Sequence, residues 1–173
     1  AFVILAAMSG AFAPSASSAP SAASARQGLP CRLLHLEDSE LDHALALAYL
    51  DRAGLRVESV RVESRDEFTR ALDEPWDVVL SDYNLPGYSG LQALADLRER
   101  GLDLPFILVS GMIGEDTAVE AMRNGASDYL LKNNLARLAP AVEHAMAAGE
   151  ARRARAEADR QLAASLQRLS ELA

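Results

Sequence analysis

Short apolar runs alternate with helical patterns five times between residues 31 and 148, and this alternation limits the fold more than any other feature of the sequence. We predict strands at 31–36, 55–62, 78–80, 105–109 and 128–131. Strands and helices that alternate with short loops are typical of a parallel sheet covered on both faces, with right-handed crossovers. The predicted fold class is therefore α/β: a five-stranded parallel sheet in a doubly wound, flavodoxin-like (βα)5 arrangement, with a C-terminal helical extension.

Capping residues and glycines place the ends of the predicted helices. Ser39 begins the first helix, and Gly54 ends it. Its apolar face is predicted at four residues with helical spacing: Leu41, Ala44, Leu45 and Ala48. A capping-box pattern at 64–67 opens a short second helix, and Ser89 caps a third. The fourth is predicted at 115–124, and the last begins near residue 135.

Composition divides the 173 residues into three parts. Residues 1–30 are rich in Ala, Ser and Pro, so we expect a disordered leader or an added segment there. Residues 31–148 are long enough to bury a core and are expected to form one domain. Residues 149–173 are expected to form the helical extension, which is a candidate coiled-coil linker.

Charge, hydropathy and cysteine content narrow the classes of partner and compartment. The formal net charge is −8, which argues against direct binding of nucleic acid. No apolar run reaches the length of a membrane span, so no membrane contact is expected. The single cysteine, Cys31, excludes an intramolecular disulfide and favours a reducing, cytoplasmic location.

Polar residues stand where four of the predicted strands end. Glu37 and Asp38 follow the first strand, Asp82 the third, Ser110 the fourth and Lys132 the fifth. The carboxyl ends of parallel strands lie along one edge, so these side chains are expected to converge. Three carboxylates repel unless a cation joins them, and hard oxygen ligands suit magnesium. A carboxylate can also act as a nucleophile toward phosphorus, with the metal and Lys132 neutralising charge.

The same residues carry a resemblance. Together with Leu85-Pro86-Gly87 and the stretch from Val109 to Lys132, they resemble the receiver domain of two-component response regulators over residues 31–148. The resemblance implies that Asp82 accepts a phosphoryl group from the phosphohistidine of a histidine kinase or a phosphotransfer protein. It also implies a signalling module, not a metabolic enzyme, although such a domain assists its own phosphorylation and dephosphorylation.

The resemblance further implies the magnesium ligands and the switch. Asp38 would bind magnesium directly alongside Asp82, Glu37 through water, and Asn84 through its main-chain carbonyl. On phosphorylation Ser110 would contact the phosphate, Lys132 would form an ion pair with it, and Tyr129 would turn inward as the aromatic switch. The output surface would be the fourth helix, the fifth strand and the fifth helix.

Two positions depart from the family pattern. Asn133 follows Lys132 where many receivers have a proline in a cis peptide bond, and Gly111 stands where alanine is common.

Several other side chains can be explained by a purely structural role. Tyr129 is as readily explained as a core residue as by a switch. His35 is expected to be packed or half exposed, whereas two histidines on predicted helices are expected to be surface residues without partners: His43 and His144.

The C-terminal residues continue a helical pattern with an apolar seam. The seam residues are spaced by three and four: Ala147, Ala151, Ala154, Ala158, Leu162, Leu166, Leu169 and Ala173. This near-heptad spacing predicts a homodimer through the extension. A solvated helix explains the pattern equally well, since alanine seams bury little surface.

Three other functions compete with the phosphorylation switch. An aspartate-nucleophile phosphatase of the haloacid dehalogenase type would need a second aspartate at the place of Asn84. A flavodoxin-like mononucleotide binder would need a phosphate-binding loop after the first strand, where Glu37 and Asp38 would repel phosphate. A degenerate receiver that acts only as a scaffold would not need the complete set of acids.

Overall fold

The computed structural model describes residues 30–112 and 114–172, so almost all of the predicted leader lies outside the described residues. The described part contains seven strands: β1 Cys31–Leu36, β2 Val57–Val62, β3 Val78–Asp82, β4 Asn84–Leu85, β5 Tyr88–Ser89, β6 Phe106–Ser110 and β7 Asp128–Leu131. It contains five α-helices: α1 Glu40–Arg52, α2 Arg65–Ala71, α3 Gly90–Glu99, α4 Glu115–Arg123 and α5 Leu138–Glu171. A 3₁₀ helix, Lys132–Arg137, connects β7 to α5.

Five of the strands form one parallel sheet in the order β2-β1-β3-β6-β7. The predicted α/β class and flavodoxin-like sheet are therefore confirmed. The central strand β3 is buried at all five residues, as expected of a strand with helices on both faces. An unpredicted antiparallel hairpin of β4 and β5 follows β3 directly and leads into α3.

The core lies in two layers, one on each face of the sheet. On one face Phe106 and Leu108 of β6 pack with Leu94 of α3. On the other face Ile107 of β6 packs in the cluster that contains Leu50 of α1. Successive side chains of one strand point to opposite faces, which is why neighbouring residues of β6 enter different clusters.

The predicted apolar face of α1 is wrong. Leu41 is 77% exposed and Leu45 45% exposed, whereas Ala46 and Leu50 are buried against the sheet. In a helix this rich in alanine and leucine, more than one set of residues has the spacing of an apolar face. The contact with the sheet, and not the spacing alone, selects the set that is buried.

The last helix, α5, is 34 residues long, and its length confirms the predicted C-terminal helical extension. Its buried residues end at Gly149, and the leucines beyond it are exposed.

The ends of the other helices follow the predictions closely. Ser64 and Ser89 cap α2 and α3 through their side chains. No described helix combines the length and apolar character that a membrane crossing needs.

Candidate functional site

The candidate site is built at the carboxyl end of β3, where Asp82 is the last residue of the strand and only 6% exposed. The start of α3 packs closely behind it. A Cβ atom placed on Gly90 would lie 2.6 Å from the Asp82 carbonyl oxygen and closer still to the side chain of Leu108. Gly90 therefore lets the first turn of α3 approach the backbone that carries Asp82. Sequence reasoning did not single it out, although a glycine inside a helix costs about 1 kcal/mol and is itself a signal.

Lys132 lies just past the end of β7 and connects the acids of the site. Its Nζ donates to Asp82 Oδ2 at 2.9 Å, to Glu37 Oε2 at 3.2 Å and to Asp42 Oδ2 at 2.6 Å. Three of the predicted site residues are thus brought together as expected from the sheet topology. Asp42 was not predicted, because it lies in the first turn of α1 and not at the end of a strand.

The loop after β1 presents Glu37 buried and Asp38 exposed. Glu37 Oε1 accepts a hydrogen bond from the Ser39 backbone N–H at 3.0 Å. Arg61, at the end of β2, donates from Nη1 to the carbonyl oxygens of Glu37 at 3.1 Å and Asp38 at 3.4 Å. Arg61 is therefore a second unpredicted contributor, and it fixes the backbone that carries both acids.

The three predicted acids form a candidate metal site. One carboxylate oxygen from each of Glu37, Asp38 and Asp82 lies within 4.8 Å of the other two. Three hard oxygen donors at this spacing fit magnesium, which also keeps several water ligands. The backbone N–H of Asn84 donates to Asp82 Oδ1 at 3.3 Å, which places Asn84 next to the cluster. The metal role of its carbonyl stays a prediction.

The charged groups of the site shift one another's pKa values. Burial raises the pKa of Glu37, and the negative charge of Asp82 raises it further. The hydrogen bond from the Ser39 N–H and the charge of Lys132 lower it, but the net shift is upward. For Lys132, burial lowers the pKa, but the hydrogen bonds to Asp42 and Asp82 and the charge of Glu37 outweigh it, so the net shift is upward. The ammonium therefore stays charged at neutral pH among an excess of carboxylates, which favours an added metal ion.

Ser110 and Tyr129 are joined through one backbone group. Ser110 Oγ donates to the Met112 carbonyl oxygen at 3.0 Å and accepts from the Met112 N–H at 3.2 Å. The Tyr129 hydroxyl donates to the same carbonyl oxygen at 3.0 Å. Ser110 and Tyr129 therefore share one backbone acceptor, the carbonyl oxygen of Met112. This geometry fits the predicted switch but does not test it.

The histidines differ from their prediction in one case. His35 of β1 is buried, and its Nδ1 lies 2.8 Å from His43 Nδ1, one of the two nitrogens donating and the other accepting. His43 Nε2 also lies 3.4 Å from Ser59 Oγ. The expectation that His43 has no partner is wrong, because residues on β1 and α1 that are eight apart face each other after the loop. His144 is exposed, as predicted.

Comparison with known proteins agrees with this geometry. The model of the response regulator receiver domain family matches residues 33–143, more than half of the chain. The C4-dicarboxylate transport transcriptional regulatory protein DctD of Pseudomonas aeruginosa is 40% identical over 100 residues, which are 58% of this chain and 21% of DctD. The phosphate regulon transcriptional regulatory protein PhoB of Escherichia coli is 31% identical over 104 residues, 58% of this chain and 44% of PhoB. The chain thus spans less than half of either relative.

Solved structures show the same fold. The beryllofluoride-activated NtrC4 receiver domain dimer has a TM-score of 0.60 at 23% identity and covers 68% of this chain and 98% of its own. The receiver domain of the Francisella response regulator 1452 has a TM-score of 0.58 at 20% identity, with 68% and 96% covered. Both relatives named above are transcriptional regulatory proteins, so the expectation of no nucleic-acid partner is not supported. The chain belongs to the response regulator receiver domain family of two-component systems.

Proposed function

We propose that the chain is a phosphorylation switch in which Asp82 accepts a phosphoryl group from the phosphohistidine of a histidine kinase or a phosphotransfer protein. The observation that carries the proposal is the contact of Lys132 Nζ with Asp82 at 2.9 Å beside the three-acid cluster. A carboxylate oxygen of Asp82 would attack phosphorus, the P–N bond would break, and its electron pair would stay on the imidazole. The result is an aspartyl phosphate and a free histidine.

In this proposal Asp38, Asp82 and the main-chain carbonyl of Asn84 would hold magnesium directly, and Glu37 would act through water. When bound, the metal would neutralise negative charge on the phosphoryl oxygens. Lys132 supplies the second positive charge and needs no change in protonation to do so. Glu37 is held by Ser39 and Lys132, which supports an orienting role.

The switch would run from Ser110 to Tyr129. Once a phosphoryl group is present, Ser110 would leave its contacts with Met112 and donate to a phosphate oxygen. Tyr129 shares the Met112 carbonyl and would lose or change its own hydrogen bond. The surface of α4, β7 and α5 would carry the change to an output, for which the names of the relatives keep DNA as a candidate target. We place the switch in the cytoplasm, where a kinase can draw on ATP.

A second copy of the chain is the partner that we propose for the end of α5. Three of its leucines are 58% to 64% exposed: Leu162, Leu166 and Leu169. They are spaced by four and three residues, as a two-stranded coiled coil requires. The alternative is the solvated helix considered above, and the association state distinguishes the two.

Intact-mass measurement of the full chain with acetyl phosphate and magnesium tests the main proposal. Wild type should gain the mass of one phosphoryl group, and Asp82→Asn should gain none. Asp51→Asn, an exposed change on α1, is the matched control and should label like wild type. Equal labelling of Asp82→Asn would refute the assignment.

Intact mass, together with the amount of acetyl phosphate consumed, separates the competing functions. A scaffold-only receiver would not label at all. An aspartate-nucleophile phosphatase would turn over many equivalents of donor. Asn84 is neutral at the place where such a phosphatase needs its second acid, which is why we favour the switch.

A further inference from the structure

Asp42 makes the shortest contact to Lys132, although it is neither a proposed metal ligand nor the proposed phosphoacceptor. Its Oδ2 accepts a hydrogen bond from Lys132 Nζ at 2.6 Å, compared with 2.9 Å for Asp82 and 3.2 Å for Glu37. We infer that Asp42 is a positioning residue that holds part of the Lys132 ammonium toward α1 and so slows phosphoryl transfer, a role that rests on the proposed phosphorylation of Asp82.

The number of donors on Lys132 supports this competition. A lysine ammonium has three N–H groups, and three carboxylates already occupy its surroundings. A phosphoryl oxygen can gain a hydrogen bond from Lys132 only if one of these contacts weakens. Glu37 and Asp82 are almost fully buried, and their contacts hold the Lys132 ammonium inside the site. The Asp42 side chain is 38% exposed and lies at the rim of the site. Asp42 is therefore the partner whose contact opposes the reaction.

The position of Asp42 is fixed by the start of α1. The Asp42 N–H donates to the Ser39 side chain at 3.2 Å, which caps the helix. A carboxylate in the first turn is also favoured by the positive end of the helix dipole. Beneath the contact lies a cavity of about 60 Å³, lined by Asp42, Lys132 and Leu45 among other residues. This space gives the ammonium room to shift between Asp42 and the reacting group.

The competition affects the chemical step directly. With acetyl phosphate as donor, an Asp82 carboxylate oxygen forms a bond to phosphorus. The bond from phosphorus to the acetate oxygen breaks, and acetate leaves with the electron pair. Charge on the transferring phosphoryl oxygens is stabilised by Lys132 only to the extent that its ammonium is free. Removing the charge of Asp42 should therefore raise the maximal rate of transfer.

The test compares three variants of the full chain at saturating magnesium, with saturation checked by calorimetry. Asp42→Asn removes the charge, Asp42→Glu keeps it, and Glu40→Gln removes a charge from the same turn of α1 at an exposed residue that does not contact Lys132. The initial rate of labelling is measured against acetyl phosphate concentration. We expect Asp42→Asn to raise the maximal rate about two- to fivefold, the range of a partly exposed ion pair. Asp42→Glu should stay at the wild-type maximal rate.

The maximal rate and the half-saturating concentration of acetyl phosphate distinguish two effects of Asp42. One is its hydrogen bond to Lys132, and the other is the repulsion between a negative site and an anionic donor. Both Asp42→Asn and Glu40→Gln should lower the half-saturating concentration, since each makes the site less negative toward an anionic donor. Only Asp42→Asn should raise the maximal rate. In metal-free protein the ¹⁵N resonance of the Lys132 ammonium should also move in Asp42→Asn and stay in place in Glu40→Gln.

Two results would overturn the inference: an unchanged or lower maximal rate in Asp42→Asn, or the same gain in Glu40→Gln. Either result leaves the proposed function standing, provided that wild type is labelled and Asp82→Asn is not. Labelling of Asp82→Asn equal to that of wild type would instead refute the proposed function, whatever Asp42 does.

Discussion

The carboxyl edge of the sheet and the end of α5 hold their polar side chains in opposite ways. At the sheet edge Lys132 reaches Glu37 and Asp82, which are 95 and 50 residues away in the chain. Beyond Gly149 the contacts are mostly between residues three or four apart, such as Arg160 with Glu157. An exception near the start of this segment is the ion pair of Arg152 with Asp103.

This difference separates what the fold creates from what a helix creates alone. The site exists only when the strands of the sheet have paired, because Lys132 is 95 residues from Glu37 and 50 residues from Asp82 in the chain. The end of α5 has its geometry as soon as it is helical. We therefore expect the geometry of the site to be lost when the domain unfolds. The stability of the end of α5 should depend instead on whether a partner covers its leucines.

The largest expected difference is in stability. Leu94→Ala removes a fully buried side chain of α3, and we expect a loss of about 2–5 kcal/mol in the free energy of unfolding. Leu166→Ala makes the same change on α5 at a residue that is 58% exposed, and should change it by about 0.5 kcal/mol or less in dilute protein. Urea unfolding followed by circular dichroism measures both. Similar losses in the two variants would show that the end of α5 is part of the cooperative core.

The two regions also differ in how well the sequence predicted them. Glu37, Asp82 and Lys132 could be placed together because topology alone brings the ends of parallel strands to one edge. Asp42 and Arg61 could not, because their contacts depend on how α1 sits on the sheet and how far an arginine on β2 reaches. A periodic pattern does not contain that information.

Side-chain burial was the other limit. The buried face of α1 was mispredicted for the same reason, since two overlapping sets of alanine and leucine share one spacing and only packing chooses between them. The extension of α5 was predicted well, because a helix without glycine or proline after Gly149 needs only local propensity. What covers its leucines is decided by a partner, which the spacing of one chain cannot establish.

The next expected effect is a pH dependence that belongs to the sheet edge. Burial, with the charges of His43 on α1, Lys132 and Arg61 on β2, lowers the pKa of His35 to about 3. An unfolded histidine has a pKa of about 6.5, so below that pH the unfolded state binds more protons and the folded state loses stability. Between pH 7 and pH 5 we expect a loss on the order of 2 kcal/mol from this group.

The effect is measured by unfolding wild type and His35→Asn across this pH range with a chelator present. The free energy of unfolding should change less steeply with pH in His35→Asn than in wild type. Glu37 has the opposite sign, because its raised pKa makes stability fall as pH rises above the value of a free glutamate. It is present in both proteins and cancels in the comparison. His144→Asn, at an exposed residue of α5, should keep the wild-type slope. Equal slopes in wild type and His35→Asn would mean that His35 is not desolvated as described.

The smallest expected effect on the folded monomer, and the one most specific to the end of α5, is on association. Each leucine of the set Leu162, Leu166 and Leu169 would contribute roughly 1.5–3 kcal/mol if fully buried between two copies, and the alanines of the seam far less. Replacing all three leucines by alanine should therefore abolish association while it leaves the folded domain intact, since the side chains are exposed in one chain.

Sedimentation of the full chain at several concentrations, with and without acetyl phosphate, measures this association. Wild type should associate weakly without the phosphodonor and more strongly with it, because α5 packs against β7, the strand that carries Tyr129. Leu41→Ala, which removes an exposed leucine of α1, should sediment like wild type. The same association state for wild type and the triple variant under both conditions would leave the end of α5 as a solvated helix, and the difference between the two regions would then be one of burial alone.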